Sequence, residues 1–215
     1  MKPAEKSIEI KGEQLIVTNQ RVIYWPSKRI LIISDLHIGK AAHFRKHGIA
    51  VPGSVQMKDL ARLDHLIAHF DPAIILIVGD LFHAGRNSEV SEFTRWRAKH
   101  DSIQFQLIRG NHDNLSVDFC QKNAIQVFEH RLDIAPFRFI HQPESDDELF
   151  CIAGHIHPGV SIKSKGRQRI TLPCYRINNN QLILPAFSLF TGLHVEKIQE
   201  KYQYFVFTPE EIFEF

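Results

Sequence analysis

Three short, largely apolar runs, Arg29–Ile33, Ile74–Val78 and Ile103–Ile108, do most to limit what this chain can fold into. They are too short for buried helices and too apolar for half-exposed strands. They read as strands covered on both faces, as in a parallel sheet. Each stops on polar residues with metal-binding or catalytic side chains: Asp35 and His37, then Asp80, then Asn111 and His112. Between the first two runs, Pro52-Gly-Ser opens an amphipathic helix. Met57, Leu60, Leu63, Ile67 and Phe70 recur in it at three-to-four spacing, and Pro72 ends it. A second helix is expected from Ser88 to about Lys99, with Val90, Phe93 and Trp96 on one side, and a short third one over Leu115–Lys122.

Short strands are expected before this β-α-β-α-β half, at Ser7–Ile10, Gln14–Val17 and Arg21–Tyr24. From residue 125 onward the pattern becomes strand after strand: Ile125–Phe128, Arg131–Ile134, Phe137–Ile140, Phe150–Ala153, Val160–Lys163, Gln168–Arg176, Gln181–Leu184 and Tyr202–Phe207. Asn178-Asn179-Asn180 reads as a hairpin turn. The expectation is an α/β fold of two sheets packed face to face with helices outside, one domain over residues 1–215. The apolar share of 44% and charged share of 23% suit a soluble chain, and a net charge of +2 argues neither for nor against nucleic acid. The N-terminus has no long apolar core and no apolar run could span a bilayer. Cys120, Cys151 and Cys174 form no CxxC pair, so a reducing, cytoplasmic setting is expected.

In open α/β sheets, sites form beyond the carboxyl ends of strands. His141 follows Phe137–Ile140, and His155 and His157 follow Phe150–Ala153, so five strand ends send such residues toward one rim. Taken singly, the pieces have plainer readings. A D-x-H is more often a turn with a surface histidine, and Gly110-Asn-His-Asp could be a tight turn. Together, in this order and spacing, they point to metal. Oxygen and imidazole donors suit Mn, Fe, Zn or Ni. Seven ligands, Asp35, His37, Asp80, Asn111, His141, His155 and His157, exceed the needs of one ion and fit two bridged by a carboxylate.

These motifs resemble the calcineurin-like metallophosphoesterases, from about Ile30 to Leu193. The resemblance implies a four-layer α/β/β/α sandwich of two mixed sheets and a phosphoester hydrolase using two divalent ions, with Mn²⁺ expected. It implies that Asp35, His37 and His157 hold one ion, that Asn111, His141 and His155 hold the second, that Asp80 bridges them, and that His112 is catalytic. The chain departs from the family at His141-Gln142-Pro143, where the histidine is usually followed by glycine. SDLHIGKAAHFRKHGIAVPGS (residues 34–54), with GDLFHAG, GHIHP and LPAFSLFTG, is similar to the ligase-associated DNA damage response endonucleases of the PdeM type. That implies a nuclease or phosphodiesterase in DNA repair, acting on single-stranded or damaged DNA, with a DNA ligase and a helicase as associated partners.

In the expected mechanism, a metal-activated solvent molecule attacks phosphorus and His112 protonates the leaving oxygen, with Asp113 orienting His112. Lys40, Arg45 and Lys46 after the first motif, and Lys163, Lys165, Arg167 and Arg169 after the last, could form a phosphate-binding wall. The second group could equally be a solvated hairpin edge. His43 and His47 could line the cleft, and His83 could support the ligands from behind. Two other functions compete: a hydrolase of small nucleotides or cyclic nucleotides, and a non-catalytic scaffold. The scaffold is disfavoured because His112 and every expected ligand are present.

Overall fold

Ile30 and Ile32 face one way from their strand, and Leu31 and Ile33 face the other; all four are buried. This alternation organises the computed structural model, which describes residues 2–83, 85, 87–144, 148–163 and 169–215. The first sheet runs β1 (Glu5–Ile10), β2 (Glu13–Thr18), β3 (Ile23–Trp25), β4 (Ile30–Ile33), β5 (Ile74–Val78), β6 (Gln104–Ile108) and β7 (Ile125–Phe128), in spatial as in chain order. β1 to β4 pair antiparallel, and β4 to β7 parallel. Helices α1 (Lys40–Lys46) and α2 (Val55–Phe70) cross from β4 to β5. Helix α3 (Ser88–Arg97) crosses from β5 to β6, and α4 (Val117–Lys122) from β6 to β7.

The second sheet contains β8 (Arg131–Ile134), β9 (Phe137–Ile140), β10 (Phe150–Ala153), β11 (Pro158–Lys163), β12 (Arg169–Ile177), β13 (Gln181–Ile183), β14 (His194–Glu196), β15 (Gln203–Phe207) and β16 (Ile212–Glu214). Its order is β14-β11-β12-β13-β10-β9-β8, with β15 pairing β12 and β16. Within it β9, β10 and β13 are parallel. The fold is therefore α/β, with two mixed sheets.

Ile30, Ile32, Leu76, Val78 and Ile108 of the first sheet meet Phe137, Phe139, Phe150, Ile152 and Leu182 of the second. Burying each such side chain stabilises the fold by about 1.5–3 kcal/mol. The Tyr175 hydroxyl crosses this interface and donates to the Thr18 carbonyl, 2.8 Å away. On the other face of the first sheet, Leu31, Ile33, Ile75 and Ile77 pack against Leu60, Leu63 and Leu66 of α2 and Val90, Phe93 and Trp96 of α3. The outer face of the second sheet carries two small clusters without helical residues, around Cys151 and around Cys174. All three cysteines are unpaired and buried. Burial pushes the Cys120 thiol up to about 11 and that of Cys174 to about 12, which suits packing and not nucleophilic attack. Among the described residues, no helix is long and apolar enough to cross a membrane.

Several local expectations shift. Arg29 adopts left-handed backbone (φ 52°), so β4 starts one residue late. Met57 is 51% exposed, because α2 turns Gln56 and Asp59 inward instead. The Gln56 side-chain amide donates to the Glu89 carbonyl and its oxygen accepts from the Gly39 N–H. The hairpin turn is present: the Asn178 side-chain oxygen accepts from the N–H groups of Asn180 and Gln181.

Candidate metal centre

The parallel strands β4, β5 and β6 end on one side of the first sheet, and there the backbone changes hand. Asp35 (φ 56°), His37 (50°) and Asp80 (52°) are left-handed, and so are His155 (69°) and His157 (52°) beyond β10. Residues other than glycine seldom adopt this region, and each instance costs on the order of 1–3 kcal/mol. The strained turns are tied together: the Asp35 N–H donates to the Gly79 carbonyl (3.0 Å) and the His37 N–H to the Asp80 carbonyl (2.9 Å). Strain gathered at one rim aims five side chains toward a common point.

Those side chains form two trios. Asp35, His37 and His157 each bring a donor atom within 4.8 Å of the others, and Asp80, His141 and His155 do the same. Each trio takes its carboxylate from the first sheet and at least one imidazole from the second. In the first trio, His157 Nε2 lies 3.0 Å from Asp35 Oδ1, but the two are not aligned as a hydrogen bond. Neither ring nitrogen of His37 has a partner. Buried polar atoms left unpaired cost about 1–3 kcal/mol each. Here they converge, and a carboxylate with two imidazoles is a donor set that fits a first-row divalent cation. Asp35 Oδ2 is occupied by the Ser34 hydroxyl and by the His155 N–H at 3.2 Å.

The second trio is bound up with the protein. His141 Nε2 lies 3.4 Å from Asp80 Oδ1 and 3.1 Å from Asn111 Oδ1, which brings Asn111 to this side. His141 Nδ1 faces the Val78 carbonyl at 3.1 Å, so that nitrogen carries a proton and Nε2 is the one left for a cation. The Asp80 carboxylate also accepts the His112 N–H at 2.9 Å.

The electrostatics follow the same division. Burial, against the pull of Asp35, drives His37 down to about 3. Burial also opposes a charge on His141, but its hydrogen bond to Asp80 and the carboxylates of Asp35 and Asp80 outweigh that and lift it to about 9. For Asp80, burial is overcome by His141, the His112 N–H and His37, and it falls to about 2.

Three motif glycines make space, and a Cβ on Gly110 would lie 2.2 Å from Asp80 Oδ1. A Cβ on Gly79 would lie 1.9 Å from His141 Nδ1, and one on Gly154 would lie 1.9 Å from Ser34 Oγ and 2.8 Å from Asp35 Oδ2. Gly154 is not in left-handed backbone, so its part is close approach.

His112 belongs to neither trio. Its ring stacks on His83 (4.7 Å, 27°) and stands edge-on to His37 (5.5 Å). The expected role of Asp113 needs correction. Its carboxylate accepts the Phe82 N–H (2.7 Å) and the Gly110 N–H (2.8 Å), so it fixes the turn that carries Asn111 and His112 and does not orient the His112 ring. Burial raises it to about 7.

The basic wall also changes. Lys40 is brought close enough to feel Asp35 and Asp80, and burial lowers it. Arg45 is committed elsewhere, to buried Glu89 (2.7 Å) and the Val51 carbonyl, so it leaves the list of phosphate-binding candidates. Lys163 stands at the far end of β11. Six extended residues place it roughly 20 Å along the strand from His157, too far to wall the trios. Lys165 and Arg167 lie outside the described residues.

Sequence reasoning passed over Ser34, whose hydroxyl fixes Asp35, and the backbone of Phe187 and Ser188. Their N–H groups donate to the carbonyls of Ser34 and Asp35, and the Arg62 guanidinium holds the Phe187 carbonyl. The signal was LPAFSLFTG itself, matched as a motif without a task. Beside Asn111 and His141 opens a cavity of about 720 Å³, lined both by the basic Arg109 and Arg131 and by the acidic Glu129 and Glu144.

The chain is similar to known proteins. The sequence pattern of the calcineurin-like phosphoesterase family matches residues 28–187. The crystal structure of the nuclease MPE of Pseudomonas putida superimposes with a TM-score of 0.83 at 29% identity, covering 98% of this chain and 100% of that one. The phosphoesterase Yfce of E. coli aligns at 14% identity with a TM-score of 0.43, over 82% of this chain and 87% of its own. No curated protein sequence matches the chain.

Proposed function

Given that this chain belongs to the calcineurin-like phosphoesterases and is a metal-dependent phosphoester hydrolase, we propose that its two trios hold two divalent cations and that it is a DNA nuclease. The carrying observation is the pair of convergent trios, one with unpartnered buried donors, beside a histidine that joins neither. Likeness to a nuclease across the whole chain supports nucleic acid as substrate, and the sequence resemblance narrows this to DNA. Asp35, His37 and His157 would hold one ion. Asn111, His141 and His155 would hold the other, with Asp80 shared and Mn²⁺ the expected metal. Such ions, when bound, acidify water and neutralise phosphoryl charge.

The chain's own residues supply the rest. His112 donates a proton to the leaving oxygen. The bond from its N–H to Asp80 and the stacking of His83 fix it in place. Lys40 adds positive charge at the rim of the first trio. Unpaired cysteines suit the cytoplasm, and the sequence resemblance supports a role in DNA repair beside a ligase and a helicase. The test is Mn²⁺-dependent turnover of an aryl phosphodiester, then of labelled single-stranded and nicked DNA. Cleavage of both is expected. Turnover of the aryl ester alone would leave a hydrolase of small phosphoesters, and turnover of neither would remove the catalytic reading.

A further inference from the structure

Residues 36–58 contain no acidic side chain and include Lys40, Arg45, Lys46 and Lys58. This stretch holds α1, whose outward side neither the trios nor the proton transfer employs. From it a file of rings runs outward from His112. His112 stacks on His83, and His83 stacks on Phe44 (6.5 Å, 20°). His43 stands edge-on to His83 (5.8 Å) and close to His47 (4.4 Å), while Phe190 closes on Phe44 (5.8 Å). Core packing does not account for the file, since only Ala41 of α1 is buried. His43 and His47 are exposed, Phe44 and Phe190 half-buried, and Ile49 and Leu189 beside them are 51% and 57% exposed.

Solvent-facing rings in a strip with lysines and no carboxylates match one kind of ligand well. Single-stranded nucleic acid offers π-faces to the rings and phosphates to Lys40 and Lys46. A duplex cannot use the rings, because its bases already stack on one another. The position on the reaction path is set by His112: the group it protonates is the leaving oxygen, so the strand attached to that oxygen departs past His112 and over His83. We infer that Phe44, with Phe190 and His43 around it, is a stacking platform for the first nucleobases of the leaving strand. This deepens the nuclease reading and rests on it.

The test is a cycle between protein and substrate. The full chain, loaded with Mn²⁺, is given single-stranded oligonucleotides with one abasic residue moved through the positions on both sides of the cut. On the leaving side, loss of the base should lower wild-type kcat/KM by roughly tenfold. Phe44→Ala should lower cleavage of the intact oligonucleotide by a similar factor and make the same abasic residue cost less than twofold. Phe44→Tyr should restore both behaviours, and anisotropy of a labelled strand should show the same loss and recovery of binding. Should Phe44→Ala fold poorly, Phe190→Ala takes its place in the cycle. The inference is overturned if the abasic penalty is equally large in wild type and variant, or if it couples to Phe44 only on the opposite side of the cut. An enzyme that turns over the aryl ester but cuts no oligonucleotide overturns the nuclease reading itself, a different result from cleavage that ignores Phe44.

Discussion

In the trio of Asp35, His37 and His157, Asp35 Oδ1, both nitrogens of His37 and Nε2 of His157 have no hydrogen-bond partner. In the trio of Asp80, His141 and His155, both nitrogens of His141 and the Asp80 carboxylate are engaged by neighbouring protein groups. A cation entering the first trio displaces little. One entering the second must break the contacts of His141 Nε2 with Asn111 and Asp80 and remove the proton that His141 holds up to about pH 9. The same kinds of donor, differently prepared, should therefore differ in affinity, the first binding more tightly and the second more weakly and more steeply with pH.

The largest effect is on the loaded enzyme. Stripping divalent cations should abolish turnover. Calorimetric titration with Mn²⁺ should show a tight and a weak phase, with activity returning during the weak one. Full activity in a verified metal-free preparation would end the metal assignment, and two equal phases would end the distinction between the trios.

Next comes the shared carboxylate. Asp80→Asn should lower activity at least a hundredfold and weaken both phases, whereas His157→Ala should act mainly on the tight one. If Asp80→Asn left the tight phase as in wild type, Asp80 would serve the second trio alone.

His112 lies outside the comparison and so sharpens it. His112→Asn should leave both phases intact and cost about 10²–10⁴ in rate on esters with alkoxide leaving groups. The loss should be smaller with an aryl ester, whose oxygen leaves without a proton. Equal losses on both would point to stabilisation of transition-state charge instead.

The smallest effect is on the metal-free chain, read as melting temperature against pH. His141, raised from 6.5 to about 9, contributes stability that is complete below 6.5 and lost as pH rises through 9. His37, lowered from 6.5 to about 3, does the reverse: the unfolded chain takes its proton first, so stability falls as pH drops from 6.5 toward 3. His141→Gln should flatten the alkaline side of the profile and His37→Gln the acid side, each by a few degrees. Flattening on the wrong side would reverse the electrostatic account.

The sequence disclosed features with a local signature. β4 and β5 could be read because strands covered on both faces are apolar throughout, and the motif residues could be placed because they follow such strands. Helix α1 could not, since seven residues carry too little periodicity, nor could β14 and β16, three-residue strands held by backbone pairing. Arg45 looked free because its partner, Glu89, lies 44 residues away. Asp113 looked like a partner for His112 because it is adjacent in the chain, yet in a turn adjacent side chains diverge. The left-handed backbone of five site residues left no trace, because aspartate and histidine reach it only when the surrounding fold compels them.

Each trio's split between the two sheets has a consequence for the whole molecule. Asp35 and His37 extend from β4 and His157 from β10, so an ion held by all three clasps one sheet to the other, and Asp80 with His141 and His155 forms a second clasp. Pulling the sheets apart would then require releasing both ions. By mass action a ligand at a hundred times its Kd adds about 2.7 kcal/mol to the folded state. With two such clasps along one edge, free divalent ions reinforce a seam that the apolar side chains of both sheets already hold.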